Sequence, residues 1–231
     1  ALVVLELTLI VPASATRERV EAMRAYGAEV VRTAEHENME DARRLASSMT
    51  ATGEYRSLNQ FANPDNWRMH YRTTGPEIWR DTRESVTHFV SAMGTTGTIM
   101  GTGRYLKEMN PDVTIVGAHP TEGSTISGIR KWSEEMTPAI YEPERVDRIE
   151  RVSESEARWM AQRMAREEGI LAGMSSGGVL TATLRVAREL ESGVVVFIVC
   201  DRGDRYLSSD LYDAEAARRA PGGELAEPAG D

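Results

Sequence analysis

Short β-branched segments alternate with helix-like ones along most of the 231 residues, and this alternation restricts the fold more than any other feature. The strand-like segments are 7–12 (LTLIVP), 28–33 (AEVVRT), 86–92 (VTHFVSA), 113–118 (VTIVGA), 146–152 (VDRIERV) and 194–200 (VVVFIVC). They are short, β-branched and mostly not alternating, the pattern of strands covered on both faces. Helical stretches lie between them. Thr16 opens TRERVEAMRAYG and Gly27 closes it; another helix is expected over 38–50 from Asn38, and another over 97–109. Residues 153–168 open on SESE, where Ser153 and Glu156 form a capping box, and 177–191 open on two glycines. The order predicts an α/β fold with doubly wound, mostly parallel sheets.

Two stretches break the pattern. Residues 53–80 are rich in Asn, Gly, Pro and aromatics and read as a long functional loop, and 119–145 as a second irregular stretch. The tail from Ala214 reads as disordered. Composition narrows the function. Apolar residues make up 41 % and charged ones 27 %, enough for a hydrophobic core. A net charge of −9 argues against general nucleic-acid binding. The single cysteine, Cys200, excludes an intrachain disulfide and a Cys-based zinc cluster. The four histidines, His36, His70, His88 and His119, are never three to five residues apart, so no metal-ligand pair is expected. ALVVLELTLIVP lacks a basic start and carries Glu6, so it reads as a buried strand rather than a targeting or membrane segment. The first residue is Ala, consistent with a processed start or with part of a longer product.

The strongest local signal is VTHFVSAMGTTGTIMGTGRYLKEM, where a strand enters a glycine turn and then a helix. Glycines admit close approach, and the free N–H groups of a helix start favour an anion such as phosphate. A plain tight turn is the alternative. The spacing is not that of a dinucleotide fingerprint, since the next strand ends GAHP without an acid, and no Gly-Lys-Ser/Thr follows for an NTP loop. A second turn, Gly173-Met174-Ser175-Ser176-Gly177-Gly178, precedes a helix, and its serines are either caps or ligand contacts. It matches the bare nucleophile-elbow pattern, but no histidine follows His119, which excludes a serine hydrolase. CDRGDRYLSSDLY follows the last strand at the edge where open α/β sheets bind ligands. TEGSTISGIRKWSEE places Arg130, Lys131 and Trp132 on a loop that is either functional or simply solvated.

Together NQFANPDNWRMHYRTTGPEIW, SAMGTTGTIMGTGRYLKEMNP, EGSTISGIRKW, EEGILAGMSSGG and CDRGDRYLSS resemble the cysteine synthase B family. These are O-acetylserine sulfhydrylases among the fold-type II pyridoxal-phosphate enzymes, and the resemblance spans about residues 7–209. It implies a tryptophan-synthase-β-like fold: a smaller, incomplete subdomain over 1–70, a larger phosphate-binding one over 71–213 and the tail 214–231. It implies pyridoxal 5′-phosphate as cofactor, its phosphate held by Gly94, Thr95, Thr96, Gly97 and Thr98 and its ring nitrogen by Ser175. Gln60 would contact the amino-acid carboxylate, and Arg130 would lie near the incoming sulfur donor. The implied reaction is β-replacement of O-acetylserine by sulfide or thiosulfate through an aminoacrylate, in a cytoplasmic homodimer, with no metal, nucleic acid or membrane partner. One family element has no match. The Schiff-base lysine lies upstream of the matched segments, and the chain's two lysines, Lys107 and Lys131, are misplaced for it. The expectation is therefore an inactive fragment of such an enzyme, the alternatives being a catalytically dead regulatory or binding protein of the same fold or an unrelated nucleotide-binding α/β protein.

Overall fold

A computed structural model describes residues 5–35 and 39–213. The chain divides into two compact units. Of the described residues, the first comprises 5–35, 39–59 and 205–210. Within it β1 (Thr8–Val11) and β2 (Glu29–Arg32) pair in parallel, Thr8 opposite Glu29, with α1 (Arg17–Ala25) as their crossover. Helix α1 ends where Gly27 takes φ +87°, as expected of a glycine stop. Helix α2 (Met39–Ala51) follows; the expected cap Asn38 lies outside the described residues, as does the tail from Ala214. Residues 205–210 join this unit: Arg19 stacks 4.6 Å over the Tyr206 ring, and the Ser208 hydroxyl donates to Glu18 at 2.6 Å.

Of the described residues, the second unit comprises 60–204 and 211–213, and it is built on four parallel strands. They are β3 (His88–Ala92), β4 (Thr114–Pro120), β5 (Arg148–Val152) and β6 (Val195–Phe197), in the order β5-β4-β3-β6. Strands β3, β5 and β6 fall within segments read as strands from the sequence, and β4 runs two residues past the expected 113–118, to Pro120. Side chains alternate between two cores, as a period of two demands. Val90, Val116 and Val152 face α6 (Glu154–Glu167) and α7 (Met174–Arg188), meeting Ala157, Val179 and Val186. Phe89 and Ile115 face α5 (Gly97–Met109), meeting Ile99, Met100 and Leu106. The sheet is thus covered on both faces, which explains why its central strands β3 and β4 do not alternate apolar with polar residues. Helix α6 carries the capping box of Ser153 and Glu156.

Three expectations need correction. The stretch 53–80 is not one long loop: it contains α3 (Asp65–Arg72) and α4 (Thr74–Asp81). Both are seated on α5: a Cβ on Gly101 of α5 would overlap the Trp67 carbonyl of α3, and one on Gly75 of α4 would lie 2.7 Å from the Tyr105 Cβ of α5. The α5 half of these contacts, Gly101 and Tyr105, leaves no periodicity signal within 53–80 itself. Helix α7 begins at Met174, not 177, with Gly173 at its N-cap and both serines inside the first turn. Finally, only Val195–Phe197 of 194–200 is strand. The Cys200 N–H donates to the Ser176 hydroxyl at 2.9 Å, which draws the chain off the sheet towards α7.

Candidate functional site

Strand β3 delivers the glycine turn to the C-terminal edge of the sheet. Its last residue, Ala92, leads through Met93 and Gly94 to Thr96, the N-cap of α5. Thr96 has φ +70°, a left-handed conformation that costs a non-glycine residue of order 1 kcal/mol. Its side chain makes no capping hydrogen bond, and its hydroxyl is buried without a hydrogen-bond partner. Helix α5 therefore starts with no side-chain cap on its first N–H groups, beside an unsatisfied hydroxyl. Such a start carries partial positive charge and suits an anion.

The turn is held from two sides. From α3, Asn66 donates through Nδ2 to the Thr95 hydroxyl at 3.2 Å and to the Gln60 carbonyl at 2.7 Å. A Cβ on Gly97 would overlap the Asn66 amide, so only glycine admits this contact. His70, also on α3, makes hydrogen bonds to the Thr98 hydroxyl at 3.2 Å and the Thr74 hydroxyl at 2.9 Å. From the other side comes segment 126–132. The Arg130 N–H donates to the Met93 carbonyl at 3.0 Å, and the Trp132 indole N–H donates to the Gly94 carbonyl at 3.1 Å. Trp132 is itself wedged between His119 and Tyr141, with ring centroids 5.8 and 5.6 Å away.

Ser175 is 2 % exposed in the first turn of α7. Gly128 links it to the glycine turn. A Cβ on Gly94 would lie 2.9 Å from the Gly128 carbonyl, and one on Gly128 would lie 2.8 Å from the Ser175 hydroxyl oxygen. The φ of +98° at Gly128 is open to glycine and strained for other residues. Gly94, Thr95, Thr96, Gly97, Thr98 and Ser175 are thus gathered around one small backbone element. Gln60 is tethered through its carbonyl and otherwise exposed, and Arg130 is placed by its backbone. Asn66, His70 and Gly128 were not among the residues singled out from the sequence. Asn66 and His70 lie in a stretch that reads as loop, and a lone Gly128 in an irregular segment gives no signal beyond a turn.

Burial lowers the pKa of His70, His88 and His119 from the ordinary 6.5, with Arg148 and Arg151 adding to the shift at His88 and His119 respectively. All three therefore favour the neutral ring in the folded state. A depressed folded pKa means the unfolded chain takes up more protons, so stability is complete above about pH 6.5 and is lost as pH falls below it. Thermal melts should show Tm falling between pH 7 and 5, before most carboxylates titrate. His70→Gln should flatten part of that slope. A melting temperature that rises over this interval would contradict the assignment.

Residues 1–201 match the family described as pyridoxal-phosphate dependent enzyme. Over 208 residues the chain is 56 % identical to cysteine synthase B of Pseudomonas aeruginosa, covering 90 % of this chain and 70 % of that protein. Against cysteine synthase B of Escherichia coli K12 the identity is 48 % over 209 residues, with 90 % and 69 % covered. A solved cysteine synthase from Entamoeba histolytica superposes with TM-score 0.80 at 36 % identity, covering 90 % of this chain and 64 % of that one. The parallel sheets with flanking helices have the fold-type II architecture of these enzymes, and the family's cofactor is pyridoxal 5′-phosphate. Among the described residues no helix is long and apolar enough to cross a membrane. The chain belongs to the cysteine synthase B branch of the pyridoxal-phosphate dependent enzymes, whose reactions are of the β-replacement type.

Proposed function

We propose that Gly94, Thr95, Thr96, Gly97 and Thr98 hold the phosphate of pyridoxal 5′-phosphate and that Ser175 meets its ring nitrogen. The observation that carries this reading is Thr96: a left-handed N-cap with a buried, unpartnered hydroxyl at an uncapped helix start. A phosphate supplies the acceptors that these donors lack. Gly97 and Gly94 keep the turn open to a close ligand. Bound there, the cofactor supplies an electron sink for bond changes at the substrate's α and β carbons. The Ser175 hydroxyl is a neutral hydrogen-bond partner, which leaves the ring less electron-withdrawing than a carboxylate partner would. Gln60 binds the amino-acid carboxylate, and Arg130 lies towards the sulfur donor. In this reading the substrates are O-acetylserine and sulfide or thiosulfate, the assembly is a homodimer, residues 71–213 form the phosphate-binding subdomain and residues 1–70 belong to the smaller one. A second reading, a non-catalytic cofactor-binding protein, is favoured by the lysines. Lys107 is paired with Asp147 at 3.0 Å and Lys131 with Glu122 at 3.2 Å.

Fluorescence titration with pyridoxal phosphate tests the phosphate assignment, with pyridoxal and inorganic phosphate as probes of the two halves of the ligand. Inorganic phosphate should compete, and pyridoxal should bind at least about 100-fold more weakly, the worth of two charge-assisted hydrogen bonds. Gly97→Ala should remove the preference for the phosphorylated form, because its methyl displaces Asn66. Ser175→Ala should keep phosphate competition and change the ring's absorbance. Equal affinity of the wild-type chain for both aldehydes would reject the site.

A further inference from the structure

His70 lies where α3, α4 and α5 meet, and its ring bonds to a hydroxyl on each of the other two helices. Its Nδ1 is 2.9 Å from the Thr74 hydroxyl at the start of α4, and its Nε2 is 3.2 Å from the Thr98 hydroxyl in the first turn of α5. The ring reaches that turn because position 101 is glycine: a Cβ there would lie 2.8 Å from the His70 Cβ. Thr74 comes into range because α3 stops at Arg72 and α4 starts at Thr74. Burial lowers the pKa of the ring and keeps it neutral. A neutral imidazole has one N–H donor and one bare nitrogen that accepts, and each threonine hydroxyl has one proton. The row Thr74–His70–Thr98 therefore runs in one of two directions. In the first, Nδ1–H donates to Thr74 and the Thr98 hydroxyl donates to Nε2, so Thr98 has only lone pairs left for the start of α5. In the second, the Thr74 hydroxyl donates to Nδ1, Nε2–H donates to the Thr98 oxygen, and the Thr98 proton is left over.

We propose that His70 is a positioning residue for the anion site: with a phosphate at the start of α5 the row runs in the second direction, and the Nε2–H tautomer holds the Thr98 oxygen so that its proton points at the phosphate. The inference rests on the phosphate reading above and deepens it by adding a residue that acts through Thr98. An anion attracts an O–H and repels lone pairs, so the first direction costs the site a charge-assisted donor. Reversal makes and breaks no bond to carbon and transfers no electron. Nδ1 gives a proton to water, Nε2 takes one from water, and the two hydroxyls rotate; the net charge is unchanged. A histidine that only stapled the three helices would hold them equally well in either direction.

Ring-nitrogen NMR of the full chain with isotopically labelled histidine tests it. Inorganic phosphate and pyridoxal phosphate are the probes, at about pH 8, above the ordinary imidazole pKa of about 6.5. The His70 signal is the one that disappears in His70→Gln. The expected result is a His70 ring in the Nε2–H form once phosphate saturates. In Thr98→Val, which keeps the shape without the hydroxyl, Nε2 loses its partner, and the ring should turn to the Nδ1–H form whether or not phosphate is added. Affinity for inorganic phosphate gives a second readout. His70→Asn reaches Thr74 but not Thr98 and should weaken binding about tenfold. His70→Gln, whose amide nitrogen stands near the place of Nε2, should bring it back to within about threefold of wild type. On the Thr98→Val background His70→Asn should cost nothing further, since its effect passes through that hydroxyl. A phosphate-bound ring in the Nδ1–H form, or an equal cost of His70→Asn on both backgrounds, would overturn the proposal and leave the phosphate reading standing. No saturable phosphate binding by the wild-type chain would overturn both. If His70→Asn fails to fold, the tautomer of the wild-type complex still decides.

Discussion

Gly177→Ala should destabilise the second unit by about 3 kcal/mol, lowering its melting temperature by roughly 6–12 °C. Helices α6 and α7 meet at their backbones here. A Cβ on Gly177 would overlap the Ala157 carbonyl oxygen and lie 2.5 Å from the Ala161 nitrogen. Neither obstacle is a side chain that can rotate away, so the helices must separate. Alanine is the better helix former by about 1 kcal/mol, and this offsets part of the cost. The net effect still removes a large share of a typical stability of about 5–15 kcal/mol. Gly178→Ala is the control. Its methyl would lie 2.9 Å from the Cδ1 of Ile129, the tip of a flexible side chain, so about 1 kcal/mol or less is expected. The first variant should also affect function, because α7 carries Ser175 in the same turn. Urea denaturation of both variants checks the order, and a Gly177→Ala protein as stable as wild type would mean that the helices do not approach as closely as described.

How much of this could be read in advance depends on where each signal is stored. Strand β3, the glycine turn and α5 are contiguous, so one window of sequence holds an apolar run, glycines and a helix-length pattern. The expected and observed bounds of α5 agree, Gly97 to Met109. The capping box of α6 is equally local. Helices α3 and α4 escaped because their seats lie on α5, in Gly101 and in the residues around Tyr105. Pairwise complementarity between distant segments leaves no mark in either one alone.

The site divides in the same way. Gly94, Thr95, Thr96, Gly97 and Thr98 announce themselves through turn chemistry, and Ser175 through its glycine-flanked serine pair. The left-handed φ of Thr96 is invisible in the sequence, since threonine is a poor residue for it. Asn66 and His70 reach the turn across 29 and 28 residues of chain. They are polar residues in a polar-looking stretch, and only the fold gives them a target. Gly128 is legible as a flexible point, but its neighbours Gly94 and Ser175 come from two other segments.

The chain on its own should form no cysteine from O-acetylserine and sulfide above the rate of the mixture without protein. Cofactors of this class work through an amine bonded to their aldehyde, and the amine must stand within bonding distance of a ring held by its phosphate. Lys107 lies in the last turn of α5, ten residues beyond Gly97 and so about 15 Å from the end where the anion would sit. Its ammonium is further engaged by Asp147 at 3.0 Å and by the Pro111 carbonyl at 3.2 Å. Lys131 is nearer, in the segment that covers the glycine turn. Its flanking residues are pinned by Arg130 N–H on the Met93 carbonyl and Trp132 on the Gly94 carbonyl, and its own ammonium turns out to Glu122. An exposed ion pair of this kind is worth less than about 1 kcal/mol, so its pairing alone does not disable Lys131, and chemical labelling decides whether its amine reaches the ring. Borohydride reduction after adding pyridoxal phosphate, followed by peptide mapping, separates the cases. No stoichiometric label on either lysine, with saturable cofactor binding retained, is the expected outcome. Label fixed on Lys131 together with cysteine formation, both lost in Lys131→Arg, would place the catalytic amine within this chain after all.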